Sequence, residues 1–188
     1  MIRLLEAADS VQRFCQEQGW RFCIIGGLAL QRWGEPRLTR DVDIDVFTGF
    51  GGETEVISAL LERFDSRIEN AAKFALERRV LLLRTKSGIG IDLALGALPF
   101  EESAVRRATF FPFTPDISLL TCSAEDLIVF KAFADRGQDW VDIENILVRQ
   151  GRTLDWSYVQ GQLKPLVDLK EAPHILDRLD GLWRTCED

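Results

Sequence analysis

Hydrophobic positions recur along this chain in two rhythms, and the balance between them shifts near residue 122. Leu4, Leu5, Ala8, Val11 and Cys15, with Phe14 beside them, share one stripe of a helix over 2–18 that Gly19 ends. Arg21 to Ile25 is a short apolar strand broken by Gly26-Gly27. A brief helix over Leu28 to Trp33 follows, stopped by Gly34 and Pro36. Asp41 to Phe47 alternates acidic and apolar residues with the period of a strand. Beyond the loop glycines at 49, 51 and 52, Val56, Ile57, Leu60, Leu61 and Phe64 line one face of a helix over Glu53 to Phe64. Arg78 to Arg84 and Ile89 to Leu95 read as strands joined by a hairpin at Lys86-Ser87-Gly88. Phe100 to Ala108 reads as a short helix, and the Pro- and Phe-rich stretch after it as carrying one more strand.

From Ser123 onward only helical patterns appear, over about 124–135, 139–149, 155–168 and 172–184. Ser123 is placed to cap the first of these, with Glu125 and Asp126 in its opening turn. The expected organisation is an α/β core over residues 1–121, a small mixed sheet with flanking helices. A helical part over 122–188 is expected to pack on that core.

Composition narrows the chemistry. With 46% hydrophobic and 28% charged residues, the chain is expected to fold as an ordinary globular protein. The apolar run from Phe22 to Leu30 is too short for a membrane span, which needs about 20 residues. Glu6 and Asp9 interrupt the apolar core that a signal peptide requires. The net charge of −7 argues against a general nucleic-acid coat, although arginines cluster at Arg32/Arg37/Arg40 and Arg106/Arg107. Four cysteines without a C-x-x-C pair fit a reducing, cytoplasmic setting. A single histidine, His174, excludes metal centres built on several histidines, so carboxylates are expected to carry any catalysis.

The informative segment is Asp41-Val-Asp43-Ile-Asp45. On a strand its three acids share one face, and like charges that close are costly without a cation above them. Magnesium suits such a set, because it takes carboxylate oxygens together with substrate phosphates. Gly26-Gly27, between a strand and a helix, offers backbone N–H groups to a phosphate. A glycine pair alone is more often a turn, and an acidic strand alone can be neutralised by arginines. The two together, fourteen residues apart, are more specific than either.

The run Ile25-Gly26-Gly27-Leu28 with Arg37-Leu-Thr39-Arg-Asp41-Val-Asp43-Ile resembles the signature of the polymerase-β-like nucleotidyltransferase superfamily. Its Arg-x-Thr-x-Asp form resembles the AbiEii-type branch, which includes toxins of bacterial toxin–antitoxin systems. The resemblance implies that Asp41 and Asp43 ligate metal and that Gly26 and Gly27 hold the triphosphate. It places Arg37 and Thr39 with the nucleotide. Asp92, inside an apolar strand, matches the third carboxylate, a metal ligand and general base; the bland alternative is a charge at a strand edge. Glu125 to Ile143 resembles that branch's second motif. There Lys131 would meet nucleotide phosphates, and Asp142, or else Asp139, would position substrate or lysine.

The residues alone also allow Asp139 as a helix N-cap with Asp142 in the first turn. Lys131 is one of five lysines and sits in the apolar stretch LIVFKAFA, where a solvated lysine is less expected. Asp45 exceeds the usual acid pair; an arginine such as Arg84 or Arg37 is its expected neighbour. A haloacid-dehalogenase reading of DVDIDV fails because Leu38-Thr39-Arg40, not an apolar strand, precedes the first acid. The implied activity is transfer of a nucleoside monophosphate from an NTP to an acceptor hydroxyl, with two Mg²⁺ ions or Mn²⁺ in their place. The acceptor is an RNA end, a protein hydroxyl or a small molecule, and an antitoxin is an implied partner. The alternative is a catalytically inactive protein of the same fold that only binds a nucleotide or partner.

Overall fold

The computed structural model describes residues 1–187. Two compact units form: residues 1–28 with 38–122, and residues 29–37 with the described residues from Ser123 onward. The first unit holds a single seven-stranded mixed sheet. In chain order its elements are α1 (Ile2–Glu17), β1 (Phe22–Ile24), the start of α2 (Gly26–Trp33), β2 (Asp41–Phe47), α3 (Glu53–Arg63), β3 (Asp65–Ser66) and α4 (Ala71–Arg78). They continue with β4 (Val80–Arg84), β5 (Gly90–Gly96), α5 (Pro99–Arg107), β6 (Thr109–Pro112) and β7 (Ser118–Thr121). The strand order is β3-β4-β5-β2-β1-β7-β6. β2 runs parallel to β5, and β1 parallel to β7, while the other neighbours are antiparallel.

The two faces of the sheet differ completely. Val42, Ile44 and Val46 of β2 stand in register with Ile91, Leu93 and Leu95 of β5, and all are buried against α1, α3 and α4. The opposite face of the same strands carries Asp41, Asp43 and Asp45 beside Gly90, Asp92 and Ala94. Apolar burial on the first face anchors the register, because a one-residue slip would drive all three acids into the core.

The second unit is helical: the end of α2, then α6 (Ala124–Ala134), α7 (Gly137–Gln150), a short 3-10 turn at Gly151–Thr153, α8 (Trp156–Lys170) and α9 (His174–Glu187). Leu127, Ile128, Ile143, Ile146, Leu147, Val159, Leu163 and Ile175 form its interior. Ser123 caps α6 as expected, its Oγ accepting from the Asp126 N–H at 3.1 Å. Among the described residues no helix is long and apolar enough to cross a membrane.

Three features depart from expectation. Residues 65–78 form β3 and α4, which no clear periodicity announces. The Pro- and Phe-rich stretch forms two strands, not one, because β6 and β7 pair as a hairpin. Asp139 is not an N-cap: α7 starts at Gly137, with Arg136 in the cap position, so Asp139 lies inside the helix and is 2% exposed.

Candidate active site

The acid face of the first unit follows from a single registration. β2 and β5 are parallel, with Asp43 directly opposite Asp92 and Asp41 opposite Gly90. Three carboxylates therefore gather at one end of one face. The side chains of Asp41 and Asp92 are 48% and 39% exposed, so solvent and substrate can reach them.

Close packing explains the glycines around them. Gly26 has φ +60°, and a Cβ there would lie 2.5 Å from Asp43 Cγ and closer still to Oδ2. The Gly27 N–H donates to Asp43 Oδ2 at 3.4 Å, which directs that carboxylate to the first turn of α2. A Cβ on Gly27 would lie 2.5 Å from Thr39 Oγ1, so Thr39 closes over the same turn. Gly90 leaves room for the Asp41 carboxylate in the same way. Backbone N–H groups at the start of a helix thus stand directly beside the acids, an arrangement that can receive a phosphate.

Arg67, which no sequence motif marked, supplies the positive charge. It ion-pairs with Asp92 through Nη2, and its Nη1 lies 3.9 Å from Asp41 Oδ1. The only signal available was a lone arginine in a stretch without clear periodicity. Among the described residues no three acidic, histidine or cysteine side chains are already drawn together as metal ligands. The donor set nevertheless fits a hard divalent cation. Its donors are carboxylate oxygens gathered on one face, with Asp41 and Asp92 partly solvated, the oxygen chemistry such an ion takes.

Asp45 does not join this group. It is fully buried, and among the described residues neither carboxylate oxygen has a hydrogen-bond partner. Burial pushes its carboxyl well above the usual range; Glu101 adds to this and Arg79 opposes it. Its expected arginine neighbours are absent for a reason of register. Arg84 lies opposite Gly90 and Asp65, whereas Asp45 lies opposite Ala94 and Cys23. Arg37 is engaged elsewhere.

The second unit contains a separate charged cluster. Lys131 on α6 is 4% exposed. Its Nζ donates to Asp142 Oδ2 at 2.6 Å and lies 3.5 Å from Asp139 Oδ1. Arg37 donates to both Asp142 oxygens, from Nε at 2.9 and 3.2 Å and from Nη2 at 2.9 Å, and Gln138 adds a bond at 3.0 Å. Asp139 receives Arg136 Nε at 2.6 Å. Burial alone would raise the Asp142 carboxyl, but the bonds from Arg37, Lys131 and Gln138 outweigh it and hold it below the usual value. The site residues expected from sequence thus fall into two sets. Asp41, Asp43, Asp92, Gly26, Gly27 and Thr39 belong to the first unit; Lys131, Asp142 and Arg37 belong to the second.

Among solved structures the chain resembles an antigenic nucleotidyltransferase-like protein from Paracoccidioides brasiliensis, at 15% identity and a TM-score of 0.51, over 94% of this chain and 92% of that one. That likeness speaks to the fold. Two others are the lincosamide antibiotic adenylyltransferase LnuA in its lincomycin-bound form and the antibiotic-resistance factor ANT(2'')-Ia. LnuA matches at 15% identity and TM-score 0.49, over 73% of this chain and 92% of that one. ANT(2'')-Ia matches at 14% and 0.49, over 92% of each chain. No curated protein matches the chain. The family model of the nucleotidyl transferase AbiEii toxin, type IV toxin–antitoxin system, matches residues 14–156. That span takes in both charged clusters and well over half of the sequence, so the chain belongs to the AbiEii family and is a nucleotidyltransferase.

Proposed function

We propose that this nucleotidyltransferase moves a nucleoside monophosphate from an NTP to an acceptor hydroxyl, using divalent metal held by Asp41, Asp43 and Asp92. The observation that carries this reading is the parallel register that sets Asp43 opposite Asp92, next to the glycine-opened start of α2. Mg²⁺, or Mn²⁺ in its place, is the ion the oxygen donors favour. When bound, such ions stabilise the attacking and leaving oxygens of the displacement.

The protein's own groups do the remaining work. Backbone N–H groups at Gly26 and Gly27 receive phosphate oxygens, with Thr39 closing the turn. Asp92 accepts the proton of the acceptor hydroxyl as its oxygen attacks the α-phosphorus. The bond between the α-phosphorus and the bridging oxygen breaks, and pyrophosphate leaves. Lys131 and Arg37, oriented by Asp142, are assigned to the negative charge of the phosphates. Membership of the AbiEii family supports a toxin role in a toxin–antitoxin pair, with an antitoxin as protein partner, and the free cysteines support a cytoplasmic setting.

The test incubates the protein with each α-³²P-labelled NTP, Mg²⁺ and pools of RNA, protein and small-molecule acceptors. Label should move to one pool with wild type and not with Asp43→Asn. Neutralising Asp43 relieves charge repulsion, so the variant should stay as stable as the metal-free wild type or become more so. Full transfer by Asp43→Asn would refute the metal assignment. Metal-dependent nucleotide binding without transfer to any pool would favour the inactive binding protein.

A further inference from the structure

The acid face carries its own cation. Arg67 lies just past β3, and its backbone N–H donates to Leu82 O at 3.0 Å. It thereby extends the sheet, and one row crosses four chain segments: Arg67, Leu82, Asp92, Asp43. From the end of that row the guanidinium reaches over Leu82. Nη2 donates to Asp92 and Nη1 faces Asp41. A Cβ on Gly90 would lie 2.9 Å from Nη1, so Gly90 leaves space for the arginine as well as for Asp41. Among the described residues Nε is buried without a partner, and the two carboxylates are the groups that hold the guanidinium. The charged end thus occupies ground that a metal on Asp92 and Asp41 also needs.

We propose that Arg67 is the resting counter-ion of this site and that it and a divalent metal are alternatives on Asp92, so that metal loading is coupled to nucleotide binding. The proposal rests on Asp41, Asp43 and Asp92 being the metal ligands. A guanidinium does not deprotonate, so Arg67 yields the position only by moving. A metal ion arriving alone strands that charge beside the incoming cation and without its carboxylate partners. A nucleotide arriving with the metal brings phosphate oxygens, which a guanidinium binds with paired, charge-assisted hydrogen bonds. Release of Arg67 therefore costs less when both are present. Linkage makes the effect reciprocal: metal strengthens nucleotide binding by the factor by which nucleotide strengthens metal binding.

The experiment titrates Mn²⁺ into the whole chain and follows free Mn²⁺ by electron paramagnetic resonance. It is run with and without the α,β-methylene analogues of ATP, GTP, CTP and UTP. Wild type, Arg67→Met, Arg67→Lys and Asp43→Asn are compared. Without nucleotide, Arg67→Met should bind Mn²⁺ about tenfold more tightly than wild type, a typical coupling between two ligands. Its gain from the analogue should shrink by a similar factor. Arg67→Lys keeps a cation and should stay near wild type. Arg67→Gln repeats the measurement if the methionine variant folds poorly. Equal nucleotide-free Mn²⁺ affinity in wild type and the neutral variants, with binding lost in Asp43→Asn, would overturn the role of Arg67 and leave the metal site standing. Mn²⁺ affinity unaffected by Asp43→Asn would overturn the metal assignment and this proposal together.

Discussion

Replacing Gly26 by alanine tests the packing that joins α2 to the acid strand. Two penalties are built into the position. At φ +60° an L residue pays roughly 1–2 kcal/mol for the left-handed conformation. The added Cβ would also lie 2.5 Å from Asp43 Cγ and 2.6 Å from Asp43 Cβ. Those atoms are not the free end of a long side chain, so β2 itself must give way. Overpacking of this kind costs about 1–3 kcal/mol. The sum, roughly 2–5 kcal/mol, corresponds to a fall in Tm of about 5–15 °C for a chain of this size. Urea denaturation and calorimetry on wild type, Gly26→Ala, Asp43→Gly and the double variant separate the two penalties. Removing the Asp43 side chain relieves the clash but not the φ strain. The double variant should therefore be more stable than the sum of the single effects predicts, by about 1–3 kcal/mol. Strict additivity, or a Gly26→Ala variant as stable as wild type, would refute the close-approach account.

The remaining predictions concern the buried charges. Lys131→Ala leaves Asp142 with Arg37 and Gln138 and leaves Asp139 with Arg136, so the loss should sit near 3 kcal/mol, the lower end for a broken buried pair. The same change should lower kcat/KM by about 10²–10³-fold if the ammonium serves the phosphates. Stability unchanged in urea would remove the ion-pair account, and wild-type kinetics would remove the catalytic one. Asp142 is held below its usual value of 3.8, so its stabilising contribution is fully present above that pH and is lost as pH falls through the lower folded value. The stability gap between wild type and Asp142→Asn should therefore narrow on acidification from pH 7 to about 3; a gap that widens would contradict this sign. Asp45 has the opposite sign: its raised folded value means that stability is lost as pH rises above 3.8. Asp45→Asn should thus be more stable than wild type at neutral pH in urea titrations, with the advantage fading in acid. A less stable variant at pH 7 would mean that Asp45 has a cationic partner in solution.

Much of the scaffold lies in local pattern. The alternation of Asp41 to Phe47 determines that three acids share one face, because the side-chain period of a strand is two. The stripe of Leu4, Leu5, Ala8, Val11 and Cys15 determines the buried side of α1 in the same way, and Ser123 with the acids after it marks where α6 begins. The family signature was equally legible, because it consists of residue types at short, fixed spacing.

What local pattern leaves open is which distant segments meet. Asp92 stands beside Asp43 because β5 runs parallel to β2, and parallel strands pair through long crossovers whose register no neighbouring residue specifies. Arg67 reaches the acids only because residues beyond β3 continue the sheet two strands away from Asp92. The pairing of Arg37 with Asp142 spans 105 positions, from a segment outside regular structure to a helix. Asp45 shows the difference within a single strand: its face is set by the alternation it shares with Asp41 and Asp43. Its burial is decided by what the fold brings against it, Gly96 with its missing side chain and the start of α5 near Glu101. Periodicity is a property of neighbours along the chain. Charge compensation is a property of neighbours in space, so the sequence determined which way the acids point and the tertiary structure decided that Arg67 meets Asp92 and Asp41 while Asp45 is buried without an ion pair among the described residues.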